Sequence, residues 1–88
     1  MEKHFVYILY SESLDRYYTG HTMDVKERLL QQNAGRTPST KPGRPWILKH
    51  IESFPDKSSA AKREAQIKQM KSRSYIESLI TVTKSLAG

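Results

Sequence analysis

The chain contains no cysteine. Disulfides, thiolate-ligated zinc and a cysteine nucleophile are therefore excluded, and the absence fits a reducing, cytoplasmic setting. No run of apolar residues approaches the length of a membrane-spanning helix, so no membrane association is expected. The N-terminus lacks the charged-then-apolar pattern of a signal peptide. A Gly-rich phosphate loop and a His-x-Glu metal motif are both missing. Acidic residues are in short supply: 9 Asp and Glu stand against 15 Lys and Arg, for a net charge of +6. Glycine and proline number only four each, and most of them crowd into residues 35–45.

The 88 residues are enough for one domain with a modest core. The positive charge is unevenly spread. Residues 1–34 carry four basic and five acidic groups, net −1, whereas residues 35–88 carry eleven basic and four acidic, net +7. Such a skew points to a surface that faces a polyanion, most commonly nucleic acid; the alternative is that it serves solubility alone.

Phe5 to Tyr10 is an unbroken apolar and aromatic run, apolar on both faces, as expected of a strand covered on both sides. Arg16 to Gly20 is a second β-prone run, and the polar segment between them predicts a hairpin. Pairing Tyr10 with Asp15 puts Tyr7 opposite Tyr18, with both hydroxyls on one face. Gly20 closes the second strand where a close backbone approach is allowed, and His21 follows at the mouth of the hairpin. Asp24 and Glu27 predict a capping box for a helix ending near Ala34, with Gly35 as its stop. Val25, Arg28, Leu29 and Gln32 form its inward stripe, so Arg28 is a cation on a buried face. It either snorkels, pairs with an acid, or meets an anion in a cleft.

Residues 35–45 predict an irregular loop whose only charges are Arg36, Lys41 and Arg44. Trp46 to Phe54 reads as a third strand, with Trp46 a core anchor. Ser58 to Met70 predicts a second helix whose inward stripe of Ala60, Ala61, Ile67 and Met70 includes Glu64. An acid there requires a partner, a metal ion or a proton; Arg28, Lys68 and a divalent cation are the candidates. Arg63 and Lys68 of this helix join Arg36, Lys41 and Arg44 as candidate nucleic-acid contacts. Ser74 and Glu77 predict a capping box for a third helix reaching about Leu86, with Ile76, Leu79, Ile80 and Thr83 facing inward.

Two tyrosines on adjacent strands, an inward arginine and an inward glutamate are a set able to hydrolyse a phosphodiester. Glu64 with waters can hold Mg²⁺ or Mn²⁺, Arg28 can neutralise phosphoryl oxygens, and a tyrosine can orient or deprotonate water. The succession Val6-Tyr7-Ile8, Tyr18-Thr19-Gly20, Arg28 in the first helix, Gly43-Arg44-Pro45-Trp46, Arg63-Glu64 and Leu79-Ile80 resembles the GIY-YIG nuclease family. It is most similar to small stand-alone members grouped with excision-repair endonucleases. The resemblance implies a single GIY-YIG-like domain over residues 1–88. Its fold would be α+β, a three-stranded mostly antiparallel sheet flanked by about three helices in the order β-β-α-β-α-α. It further implies metal-dependent cleavage of structured, damaged or single-stranded DNA. In that reading Tyr7 and Tyr18 share the catalytic pocket, Gly20 allows the approach, Arg28 contacts phosphate, Glu64 ligates a single Mg²⁺ or Mn²⁺ ion, and His21 has a supporting role. Gln32 stands one turn after the arginine, where some members carry histidine or tyrosine. A monomer or weak homodimer is expected. The competing expectations are a non-catalytic nucleic-acid-binding module on the same fold and a basic domain that binds a protein.

Overall fold

The computed structural model describes residues 3–87, with side chains described for residues 3–81. The apolar run at the N-terminus becomes the central strand of the sheet. Strand β1 (His4–Ser11) pairs on one side with β2 (Arg16–Thr22) and on the other with β3 (Trp46–Phe54), both antiparallel. Helix α1 (Val25–Asn33) lies between β2 and β3 in sequence, and helices α2 (Lys57–Met70) and α3 (Arg73–Ala87) follow. The fold is therefore α+β with the expected order β-β-α-β-α-α.

Val6, Tyr7, Ile8 and Leu9 are all at most 1% exposed, as a strand covered on both faces requires. Val6 packs with Ala60 and Ile67 of α2, joined by Phe54, Tyr75, Ile76 and Leu79. Tyr7 and Leu9 pack with Trp46 on the opposite face, joined by Tyr18, Val25, Leu29 and Leu48. Two separate cores thus sandwich one strand. Thr83, also expected to face inward, falls outside the described side chains.

The hairpin register differs from expectation by two residues. Tyr10 pairs with Tyr17, not Asp15, and Tyr7 faces Gly20, not Tyr18. The cause lies in the turn. Asp15 adopts a left-handed conformation, φ 52°, which aspartate tolerates better than most residues. Its carboxylate accepts a 2.6 Å hydrogen bond from the Tyr10 hydroxyl. Ser11, fully buried, joins the ladder and takes the Leu14 amide on its hydroxyl. Because the shift is even, Tyr7 and Tyr18 still share a face, with ring centres 6.3 Å apart.

Asp24 caps α1 by accepting from the Glu27 amide at 2.9 Å, half of the expected capping box. The other half is missing: the Asp24 amide donates to Thr22 Oγ1, and Glu27 instead accepts from Gln31 one turn on. Residues 35–45 are not wholly irregular, since Lys41–Gly43 form a 3₁₀ turn beginning next to Pro42. Asn33, the last residue of α1, fastens the loop's far end. Its side chain accepts from the Trp46 amide at 2.6 Å and donates to the Trp46 carbonyl at 3.1 Å. The Trp46 indole donates to the Thr40 carbonyl at 2.7 Å, so Trp46 is the core anchor that its position predicts.

Helix α3 is capped by Ser72 and not by Ser74: the Tyr75 amide donates to Ser72 Oγ at 3.1 Å. Lys71 reverses the chain in the left-handed region, φ 47°, a place where glycine is usual and which the sequence does not flag. Glu77 then accepts from Arg73 and Tyr17, and Arg73 reaches Asp15 Oδ1 at 2.6 Å. These contacts tie the start of α3 to the hairpin turn.

Candidate active site

The site is built around the Tyr7 hydroxyl. Tyr7 projects from β1 over the backbone of β2 at Gly20, so close that a β-carbon at Gly20 would sit 2.6 Å from Tyr7 Oη. Glycine is needed here for space. Tyr18 stands on the same face, and its ring also meets Trp46 at 6.1 Å. Arg28 approaches the Tyr7 hydroxyl from the inward stripe of α1, and Glu64 from α2. Tyr7, Tyr18, Arg28 and Glu64 thus converge, as the sequence leads one to expect.

Burial pushes the Tyr7 phenol up to about 12, with the neighbouring Tyr18 adding to the rise. The Arg28 guanidinium pulls in the opposite direction, and the Glu64 carboxylate adds slightly to the rise. The hydroxyl is therefore protonated throughout the neutral range, and it finds no hydrogen-bond partner of ordinary geometry among the described residues. A buried hydroxyl without a well-formed partner is costly, and Arg28 is the polar side chain placed to meet it. Arg28 makes no ion pair among the described residues, which leaves its charge available to an anion.

Glu64 meets Lys68 and not Arg28. Lys68 Nζ lies 2.6 Å from Glu64 Oε2, one turn along α2. His21 Nε2 approaches Glu64 Oε1 at 3.8 Å. His21 Nδ1 is buried without a partner among the described residues, and the ring packs 5.7 Å from that of His4, a neighbour that no motif announced. No group of three or more His, Cys, Asp or Glu side chains that could hold a metal occurs among the described residues. A lone carboxylate of this kind still suits Mg²⁺ or Mn²⁺, which keep most of their waters and take phosphate oxygens from the substrate.

A cleft of about 540 Å³ opens beside these groups, between β2 and the junction of α2 with α3. Tyr18 and Lys68 belong to both the cleft and the site, and Arg16, Tyr17 and Lys71 line it further on.

The candidate phosphate contacts divide. Arg36, Lys41 and Arg44 are exposed and carry no ion pair among the described residues. Arg44 Nε donates to the Lys41 carbonyl, which holds the loop's charges together. Lys68 lies in the site itself. Arg63 is held internally. Its guanidinium donates twice to Glu52 on β3, at 2.7 and 3.1 Å, and also to Gln66 and Tyr75. With four of its donors satisfied internally it braces α2 against β3.

Burial raises the Glu52 carboxyl, but the hydrogen bonds from Arg63 and then His50 outweigh it and hold the group below its ordinary 4.5. A depressed carboxylate stabilises the fold above its unfolded value and loses that contribution as pH falls through the folded one. Thermal stability should therefore fall on acidification below about pH 4.5. Arg63→Ala should cost about 2 kcal/mol at pH 7, or roughly 10 °C in Tm. It should also flatten the acid limb of a Tm–pH profile; an unchanged profile would remove Arg63 from this role.

The chain belongs to the GIY-YIG family: the model of the GIY-YIG catalytic domain matches residues 3–76. A UPF0213 protein of Halobacterium salinarum is 46% identical over 78 residues, covering 86% of this chain and 97% of the relative. A UPF0213 protein of Syntrophus aciditrophicus is 44% identical over 73 residues, covering 80% and 82%. Among solved structures, the solution NMR structure of the UPF0213 protein BH0048 from Bacillus halodurans matches with a TM-score of 0.57 and 33% identity. That match covers 91% of this chain and 84% of the other.

Proposed function

We propose that the protein is a divalent-metal-dependent endonuclease that hydrolyses phosphodiester bonds in DNA, with Tyr7, Tyr18, Arg28, Glu64 and His21 as its reactive groups. The observation that carries this reading is the convergence of Arg28, Glu64 and Tyr18 on the buried Tyr7 hydroxyl. The protonated Tyr7 hydroxyl donates a hydrogen bond that orients the attacking water or a non-bridging oxygen. Arg28 neutralises charge that builds on the phosphoryl oxygens as the new P–O bond forms and the ester P–O bond breaks. His21, beside Glu64, accepts or donates the proton that must move between water and leaving oxygen. Glu64 is the group that would hold one Mg²⁺ or Mn²⁺ ion, which when bound supplies Lewis-acid polarisation of the phosphate. Arg36, Lys41 and Arg44 form a basic, exposed rim for the flanking backbone.

The Glu64–Lys68 contact favours a second reading, a nucleic-acid-binding module whose carboxylate is permanently neutralised. Cleavage of supercoiled plasmid and of a branched oligonucleotide separates the two. A nuclease cuts with Mg²⁺ or Mn²⁺, stops in EDTA, and slows about a hundredfold in Arg28→Ala. Salt-sensitive binding without cutting under any of these conditions would establish the binding module instead.

A further inference from the structure

Lys68 touches both the candidate site and the cleft beside it. Its ammonium bonds Glu64 at 2.6 Å, stands 6.0 Å from the centre of the Tyr18 ring, and lines the cleft beside the site. The lysine side chain is 54% exposed and the glutamate only 19%, so the lysine is the partner free to move. A lysine–glutamate pair at this helical spacing, with its lysine half in water, shifts an equilibrium by only about twofold. A phosphate competes with it easily.

The cleft offers Lys68 somewhere to go. Arg16 and Lys71 stand on its walls with no acidic partner among the described residues, whereas Arg73 is already committed to Asp15 and Glu77. The free cations favour an anion. The four-carbon lysine stem can swing the ammonium from the carboxylate to the cleft without moving the helix.

We propose that Lys68 is a two-position residue that couples cation binding at Glu64 to substrate binding. In the free protein its ammonium sits on the carboxylate and repels a divalent ion. When nucleic acid enters the cleft, Lys68 turns onto a phosphate flanking the scissile bond and uncovers Glu64. Lys68 is a positioning residue in this scheme, since it acts on the cation through Glu64. The proposal rests on the nuclease reading for the role of Glu64, and adds an order of events to it. Two positive centres about 4 Å apart, one of them divalent, repel enough even in water to lower cation affinity by about tenfold after screening. Linkage is reciprocal, so the cation must tighten nucleic-acid binding by the factor by which nucleic acid tightens cation binding.

The test is a binding experiment with the full chain. Mn²⁺ binding is read by electron paramagnetic resonance, with and without a phosphorothioate branched oligonucleotide, and oligonucleotide binding by anisotropy in Mn²⁺ and in EDTA. The wild type should bind the oligonucleotide about tenfold tighter with Mn²⁺ than without. Lys68→Gln should bind Mn²⁺ about tenfold tighter in the absence of nucleic acid, and its coupling should fall to within about twofold. Lys71→Gln, which removes a cleft charge that does not touch Glu64, should weaken oligonucleotide binding equally in both conditions and keep the coupling. Unchanged or weakened Mn²⁺ binding by Lys68→Gln, or undiminished coupling, overturns the proposal. Glu64→Ala tells the two levels apart. If it abolishes Mn²⁺ binding while Lys68→Gln changes nothing, only the coupling fails. If it leaves Mn²⁺ binding intact, the role of Glu64 falls and the coupling with it.

Discussion

Glu64→Gln should lower plasmid cleavage by about a thousandfold or more while the protein stays folded and binds DNA. The substitution keeps the shape of the side chain and removes its charge. Glu64 is the carboxylate that joins Tyr7, Tyr18 and Arg28, and no group of three or more possible metal ligands occurs among the described residues to take over cation binding. The fold should hardly notice. The pair that is lost, with Lys68, joins groups at an i,i+4 spacing with the lysine half in water, and such pairs contribute at most a few tenths of a kcal/mol. Circular dichroism and Tm would therefore match the wild type within a degree or two, and DNA affinity in EDTA would be equal or slightly higher, because one negative charge has gone. Cleavage within about tenfold of the wild type would move the cation site elsewhere.

Gly20→Ala should be damaging in both stability and rate. The added methyl would stand 2.6 Å from Tyr7 Oη and 2.8 Å from Tyr7 Cζ, inside contact distance of a ring that is 1% exposed. Tyr7 cannot retreat, since Leu9 and Trp46 pack beside it on the same face. Overpacking of this kind costs about 1–3 kcal/mol. A displacement of the hydroxyl by about an ångström would slow cleavage by about a hundredfold. The double variant Gly20→Ala with Tyr7→Phe makes the cause visible. Removing the hydroxyl relieves the shortest contact, so the double variant should regain part of the stability lost by Gly20→Ala, although its activity stays low. Strict additivity of the two single changes would show that the glycine is needed for something other than room for Tyr7.

The central strand, the helix order and the four converging side chains were legible because each rests on a strong local pattern. An apolar run on both faces forces a covered strand, and a charged residue in an inward stripe must be aimed at something. The hairpin register was harder, because neighbouring pairings give turns of the same length. Only the left-handed Asp15 and the buried Ser11 decide between them, and neither leaves a mark in the hydrophobic pattern. The error was harmless to the site because it was even. The internal pairing of Arg63 is hidden in the sequence for a different reason. A helix full of cations does not reveal which one turns inward, and its partner Glu52 lies on a different element, across the chain reversal at Pro55-Asp56. The sequence presents Glu64 as an acid in need of a partner and Lys68 as a candidate phosphate contact. Their pairing with each other shows that one basic residue can belong to both descriptions.

The open three-stranded sheet has two free edges, and an unpaired edge is a template on which another chain can add a strand. The edge at β2 is packed by α2 and bordered by Arg16, Lys68 and Lys71. The edge at β3 exposes Ile47 and Ile51, 36% and 43% accessible, which would invite stacking if the strand were regular. It is not regular. The register with β1 slips between Ile8 and Leu9, so that His50 and Leu48 find partners and Lys49 is left over. A bulge bends and twists the strand that carries it, and here it breaks the ladder that an incoming chain would have to follow. Growth into a continuous cross-strand assembly is thus opposed by charge at one edge and by a single extra lysine at the other.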